Sequence, residues 1–181
     1  MIQIDTTALR EAQRHLQEVK KKTKVAMYRA LNRVAQNAKT NASKEIREQY
    51  VIKAGDLGTT FSIKKADKGS LSATIRSRSR GTGLDKYKFS PRRTTGKRPK
   101  VLKVAVKKGG MKKVPGAFVA EKNGVKIFIR EGRSRLPIKR LYGPPAPEMF
   151  NNVQIKESVE RKARIMYAQR LEHELNRELD G

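Results

Sequence analysis

The chain has 181 residues, with 43 Lys and Arg against 17 Asp and Glu, no cysteine and no tryptophan, and a formal net charge of +26. Disulfides, thiolate metal sites and cysteine nucleophiles are therefore excluded, and no apolar run reaches the roughly 20 residues that cross a bilayer. The size suits one domain, but with only 36% apolar residues a good part of the length is expected as surface, arm or interface.

The charge is concentrated. Residues 62 to 113 hold 18 basic and 2 acidic groups, whereas residues 1 to 61 hold 12 and 6, and residues 114 to 181 hold 13 and 9. A segment like the middle one meets a polyanion, meets acidic protein, or stays extended through self-repulsion. The start, Met1-Ile2-Gln3-Ile4-Asp5, has neither the basic nor the apolar part of a secretory signal, so synthesis in a cytosol is expected.

In chain order, Leu9, Ala12, Leu16 and Val19 recur at helical spacing, with Thr6 or Thr7 as N-cap. Lys20-Lys21-Lys22 reads as a break. A second helix follows through Ala26, Ala30, Leu31, Val34, Ala35, Ala38, Ala42, Ile46 and Tyr50, its alanine-rich face suited to close packing. Gly55 and Gly58 end the helical region, and Thr59 to Lys65 with Leu71 to Ser77 read as a hairpin across Asp67-Lys68-Gly69. Period two puts Arg76, Arg78 and Arg80 on one face.

Residues 78–113 read as a basic arm or long loop, with a strand near Val101, Val104 and Val106 and a turn at Gly109-Gly110. Ala117 to Glu121 and Val125 to Arg130 form a hairpin over Asn123-Gly124, a pair in which both residues tolerate positive φ. From Leu136 to Pro147, four prolines preclude a helix and predict a stiff extended connector. Glu148 to Leu179 returns to helix, with Ile155, Val159, Ala163, Tyr167, Leu171, Leu175 and Leu179 at every fourth position. Such a row drifts around the helix, so part of it can face a neighbouring subunit. The fold class is α+β: N-terminal helices, a central antiparallel sheet of hairpins carrying the basic arm, and a long C-terminal helix, all in one domain over 1–181.

No motif supports catalysis. His15 and His173 are far apart and lack ligand-spaced partners, Arg80-Gly81-Thr82-Gly83 has Lys86 where a dinucleotide turn needs its third Gly, and Pro91 to Arg98 lacks both the first Gly and the hydroxyl of a P-loop. No cofactor or metal is expected. Arg92, Arg93, Lys97, Arg98, Lys100, Lys103, Lys107, Lys108, Lys112 and Lys113 can contact phosphates, each adding about −0.9 to the salt slope on duplex DNA. Only Tyr87 and Phe89 could stack bases there, so such binding would be sequence-nonspecific. A solvated arm pairing with acidic partner proteins is the competing reading.

The ordered set Phe89-Ser90-Pro91-Arg92-Arg93, Val114-Pro115-Gly116-Ala117-Phe118-Val119, Ile129-Arg130-Glu131-Gly132-Arg133-Ser134-Arg135-Leu136-Pro137-Ile138 and Leu141-Tyr142-Gly143-Pro144 resembles the prophage minor tail protein Z family of tailed bacteriophages. The likeness is densest over 84–150. It implies a non-enzymatic virion protein at the head-proximal end of a long tail, acting in tail completion. It also implies a homo-oligomeric ring, a hexamer among the sizes implied, that meets tail terminator, tail tube or neck proteins and the phage DNA end, with no membrane partner. Arg130, Arg133, Arg135, Leu136, Pro137, Ile138, Leu141, Tyr142, Gly143, Pro144 and Pro145 are the expected assembly contacts. Arg92, Arg93, Lys97, Arg98, Lys100, Lys107, Lys108, Lys112 and Lys113 are the expected polyanion-facing set. Sequence-nonspecific nucleic-acid binding is the alternative function.

Overall fold

A computed structural model describes residues 7–92, 101–121 and 124–179. The elements are helices and short antiparallel strands, an α+β chain. They fall into two compact units, one within residues 1–39, 63–76 and 160–181, the other within 40–62 and 77–159.

Helix α1 runs without interruption over Thr7–Gln49. The expected break at Lys20-Lys21-Lys22 does not occur: neither Gly nor Pro stands between Thr7 and Gln49, and lysine loses little side-chain freedom in a helix. Of the first predicted stripe, Ala12 is exposed, Leu16 68% exposed and Val19 half-buried, while the Leu9 side chain lies outside the described residues. The second stripe is buried as expected at Ala26, Ala30, Val34, Ala35, Ala38, Ala42, Ile46 and Tyr50.

In the first unit the buried side chains are small: Ala26, Ala30, Val34, Ala35 and Ala38 of α1, and Ala66 in the turn of the predicted hairpin. That hairpin pairs β1 (Phe61–Lys64) with β2 (Thr74–Ser77). Its turn is closed by Asp67, whose Oδ1 accepts from the amides of Gly69 at 2.8 Å and Ser70 at 2.7 Å. Arg76, Arg78 and Arg80 are all exposed, as the alternation requires. Asn32 grips the turn: its Nδ2 donates to the Ala66 carbonyl and its Oδ1 accepts from the Ala66 amide, both at 2.8 Å. Arg29 and Glu178 form an ion pair in the same unit.

The second unit holds the bulky core. Ile46, Leu57, Leu102, Ile127, Met149 and Ile155 are fully buried. Each contributes roughly 1.5–3 kcal/mol by leaving water. Helix α2 (Ala54–Gly58) contains the two glycines expected to end the helical region; Leu57 pins it to the core, and its carbonyl accepts from the Thr60 hydroxyl at 2.7 Å. Phe61 meets Phe150 edge to face at 6.0 Å.

Three small sheets complete this unit. The first pairs β3 (Thr82–Gly83) with β10 (Tyr142–Gly143); the second has the order β4 (Lys88–Ser90), β5 (Lys103–Ala105), β6 (Lys112–Lys113); the third has the order β7 (Ala117–Glu121), β8 (Val125–Arg130), β9 (Ile138–Arg140). The segment 78–113, expected as a basic arm or long loop, thus supplies β3, a 3-10 turn at Leu84–Lys86, β4, β5 and β6, while residues 93–100 lie outside the described residues. The β7–β8 hairpin has its predicted bounds, with Gly124 at φ +93 in the turn; Asn123 lies outside the described residues.

The proline-rich stretch does contain helix. Helix α3 (Ala146–Phe150) starts after Pro145 and carries Pro147 in its first turn, where a missing amide hydrogen breaks no helical bond. The C-terminal helix is split from α3 at Asn151-Asn152. Helix α4 (Val153–Leu179) then begins with the Asn152 side chain accepting from the Gln154 amide at 3.1 Å, an N-cap that the four-residue repeat alone conceals. Along that repeat, Ile155 and Val159 are buried, Ala163 to Leu175 half-buried and Leu179 52% exposed. Four residues advance about 400°, so the row turns by about 40° at each step.

Candidate assembly and anion-facing surfaces

The third sheet sorts its side chains by parity. Val119 and Ile127 are register partners, and Ile127 is wholly buried. The opposite face carries Phe118 against Phe128, Phe128 against Arg140 and Arg130 against Ile138. Its aromatic rings lie 6.2 Å apart, and the Arg130 guanidinium sits 5.5 Å above the Phe118 ring. Phe118 and Phe128 are half-buried, whereas Arg130 and Ile138 are exposed. Aromatic rings with stacked guanidinium groups are the composition enriched where proteins dock.

The expected assembly residues divide in two. Arg133, Arg135, Leu136 and Pro137 are exposed between β8 and β9, Leu136 at 66%, and the loop closes where the Glu131 amide donates to the Pro137 carbonyl at 3.3 Å. Tyr142 is 55% exposed, with the Arg140 guanidinium 5.2 Å from its ring. Leu141, Gly143, Pro144 and Pro145 are half-buried. Leu141 is held from both sides: its amide donates to the Ile127 carbonyl at 2.9 Å, and its carbonyl accepts from the Leu84 amide at 3.1 Å. Tyr142 therefore stands on backbone fixed by its neighbour Leu141.

Three residues outside the predicted set position this surface. Asp85 Oδ1 accepts from Arg140 Nη2 at 2.8 Å, and that hydrogen bond raises the Arg140 pKa further above its already high value. Tyr87 is buried, and its hydroxyl donates to the Pro144 carbonyl at 3.2 Å; burial pushes its phenol up to about 12. Two glycines make room. A Cβ on Gly83 would lie 2.5 Å from both Arg140 Nη2 and Asp85 Oδ1, and one on Gly143 would lie 2.8 Å from the Tyr87 ring. The Gly-Thr-Gly that imitates a dinucleotide turn is thus explained by packing.

Of the expected polyanion-facing residues, Arg92, Lys107, Lys108, Lys112 and Lys113 are exposed; Arg93, Lys97, Arg98 and Lys100 lie outside the described residues. Lys107 Nζ is 5.7 Å from the Tyr50 ring. Tyr87, one of the two candidate stacking rings, is withdrawn into the core. The first unit adds a basic cleft of about 870 Å³, lined by Arg29, Arg33, Lys65, Arg170 and Arg177 with Glu174. These five cations come from stretches remote in sequence, so no local charge run announces them.

Among the described residues no cluster of His, Cys, Asp and Glu could hold a metal ion, and no helix is long and apolar enough to cross a membrane.

The chain is thus an α+β protein with Arg130, Ile138 and Tyr142 exposed on its strands. The chain belongs to the prophage minor tail protein Z family, whose sequence model matches residues 7–180. It is therefore a phage minor tail protein, a structural component of the virion. No curated protein and no solved structure matches it.

Proposed function

We propose that this protein completes the tail at its head-proximal end, assembling as a homo-oligomeric ring and docking on tail terminator, tail tube or neck proteins without making or breaking bonds. Arg130, Arg133, Arg135, Leu136, Pro137, Ile138 and Tyr142 form the intersubunit or tube-facing contact; Leu141, Gly143, Pro144 and Pro145 hold it in place. What supports this reading is the exposure of Arg130, Ile138 and Tyr142 on strands paired in two sheets, with Arg133, Arg135, Leu136 and Pro137 exposed in the loop between β8 and β9. At the strand positions little freedom remains to be lost on binding, and a heterologous contact closes a ring only where its geometry is fixed.

Residues 92 to 113 supply the polyanion-facing surface of the same assembly, directed at the DNA end or at an acidic neighbouring ring. Reversal of Arg92, Arg93, Lys97 and Arg98 to Glu should lower the yield of infectious particles by at least about tenfold while the purified protein melts normally. Unchanged infectivity would remove the arm from the assembly. The alternative, free sequence-nonspecific nucleic-acid binding, rests on the exposed Arg92, Lys107, Lys108, Lys112 and Lys113. It requires a steep salt dependence of duplex binding by the isolated protein and no defect in tails lacking it.

A further inference from the structure

The turn between β5 and β6 encloses a groove of about 570 Å³ whose wall is aliphatic, with Leu84, Val104, Val106, Met111 and Val114 in its lining. The remaining lining residues are Lys107, Lys108 and Lys112 with Gly109 and Gly110, so the rim is cationic and contains no carboxylate. Three features make this a formed surface. The backbone at 106–108 is tied to the end of α1, the Val51 amide donating to the Val106 carbonyl at 2.9 Å and the Lys108 amide to the Gln49 carbonyl at 2.8 Å. The opposite wall continues the β5–β6 ladder, the Val114 amide donating to the Leu102 carbonyl at 2.8 Å. Between them Gly109 and Gly110 take φ of +120 and +132, a conformation side-chain-bearing residues rarely adopt.

We propose that this groove takes an acidic segment of another protein, with an aliphatic side chain seated on Val106 and Met111 and its carboxylates on Lys107, Lys108 and Lys112. The charge of the rim selects an anionic partner. The wall decides between the two kinds of anion. A nucleic acid presents a hydrophilic phosphodiester backbone and flat bases that stack on aromatic rings, and the lining holds none. An acidic peptide can instead bury an apolar side chain here, with lysines close enough to escape screening over the roughly 8 Å Debye length. The inference rests on the anion-facing reading of these lysines, but it is tested apart from tail maturation.

Fluorescence anisotropy on the full chain compares two labelled peptides of equal charge, Glu-Glu-Leu-Glu-Glu-Leu and Glu-Glu-Ser-Glu-Glu-Ser. The leucine peptide should bind at least about tenfold more tightly, and Met111→Ser, which removes the apolar contact without changing charge, should erase that preference while leaving the serine peptide's binding within about threefold. Equal binding of the two peptides overturns the proposal. So does a twenty-base-pair duplex whose affinity falls with Met111→Ser as far as the leucine peptide's does, which would assign the groove to nucleic acid. A photoreactive leucine in the peptide supplies a measurement independent of any variant. Crosslinks should fall within residues 104–114, and crosslinks found only elsewhere would equally refute the assignment.

Discussion

Asp85 and Arg140, 55 residues apart, are joined by a 2.8 Å hydrogen bond that passes where a side chain on Gly83 would stand. The Asp85 side chain is only 9% exposed. Removing its partner strands a nearly buried carboxylate, which is costlier than removing the pair together. Arg140→Ala should therefore destabilise the protein by about 2–4 kcal/mol, and Asp85→Asn should recover part of that loss in the double variant. Urea titrations of the four proteins complete the cycle; additive losses would show that the two residues do not act as a pair.

Tyr87 makes a prediction in alkali. Its phenol titrates near 12 in the folded protein against 10 when unfolded, because burial disfavours the phenolate. Below pH 10 the group is protonated in both states and contributes no pH dependence. Between pH 10 and 12 the unfolded chain releases the proton first, so stability falls as pH rises, by a few kcal/mol at most. Absorbance titration should show one tyrosine with its midpoint near 12, missing in Tyr87→Phe; an ordinary midpoint for every tyrosine would contradict the packing of Tyr87 against Gly143.

The Asn32 clamp on Ala66 provides a sharper local test, because both halves of one amide are used. Asn32→Ala should cost about 1–3 kcal/mol. Asn32→Asp keeps the acceptor for the Ala66 amide but sets a carboxylate oxygen against the Ala66 carbonyl, and it should be at least as damaging. Thermal melts of both variants decide; a harmless Asn32→Asp would mean that the side chain does not bridge both backbone groups.

The two units should differ in local stability. Among the described residues, the six fully buried large side chains lie in the second unit, whereas the first buries alanines and one valine. Less apolar area leaves water in the first unit, so its amides should open at lower free energy. Native-state hydrogen exchange should show the amides of residues 12–39 and 160–175 exchanging well ahead of those in β8. Uniform protection across both groups would refute this.

The outward row on β8, β9 and the loop between them should be separable from folding. Arg130→Glu with Leu136→Asp and Ile138→Asp touches only exposed positions, so its melting temperature should stay within a few degrees. Its ability to complement tails lacking the protein should be lost, and light scattering should show loss of any self-association. A variant that still completes tails would move the assembly contact elsewhere.

Much of the fold was legible locally. The alanine stripe from Ala26 to Tyr50, the Asp67 turn and the β7–β8 hairpin each follow from spacings shorter than about ten residues, and the structure has all three. Readings based on a single residue type fared less well. Three lysines did not break α1, two glycines did not prevent α2, and prolines did not prevent α3, because each type is tolerated at particular helical positions.

The amino-acid sequence by itself determined the composition of the surface, the period of the helices and the turns, since these depend on backbone geometry and side-chain charge within a few residues. Only the tertiary structure decided which arginine is spoken for and which is offered. Arg140 meets Asp85 and Tyr87 meets Pro144 across 55 and 57 residues, and five cations of the basic cleft converge from stretches that share no local pattern. Such pairings arise from which surfaces pack together, and packing is set by the burial of the whole chain, so no local window of residues contains them.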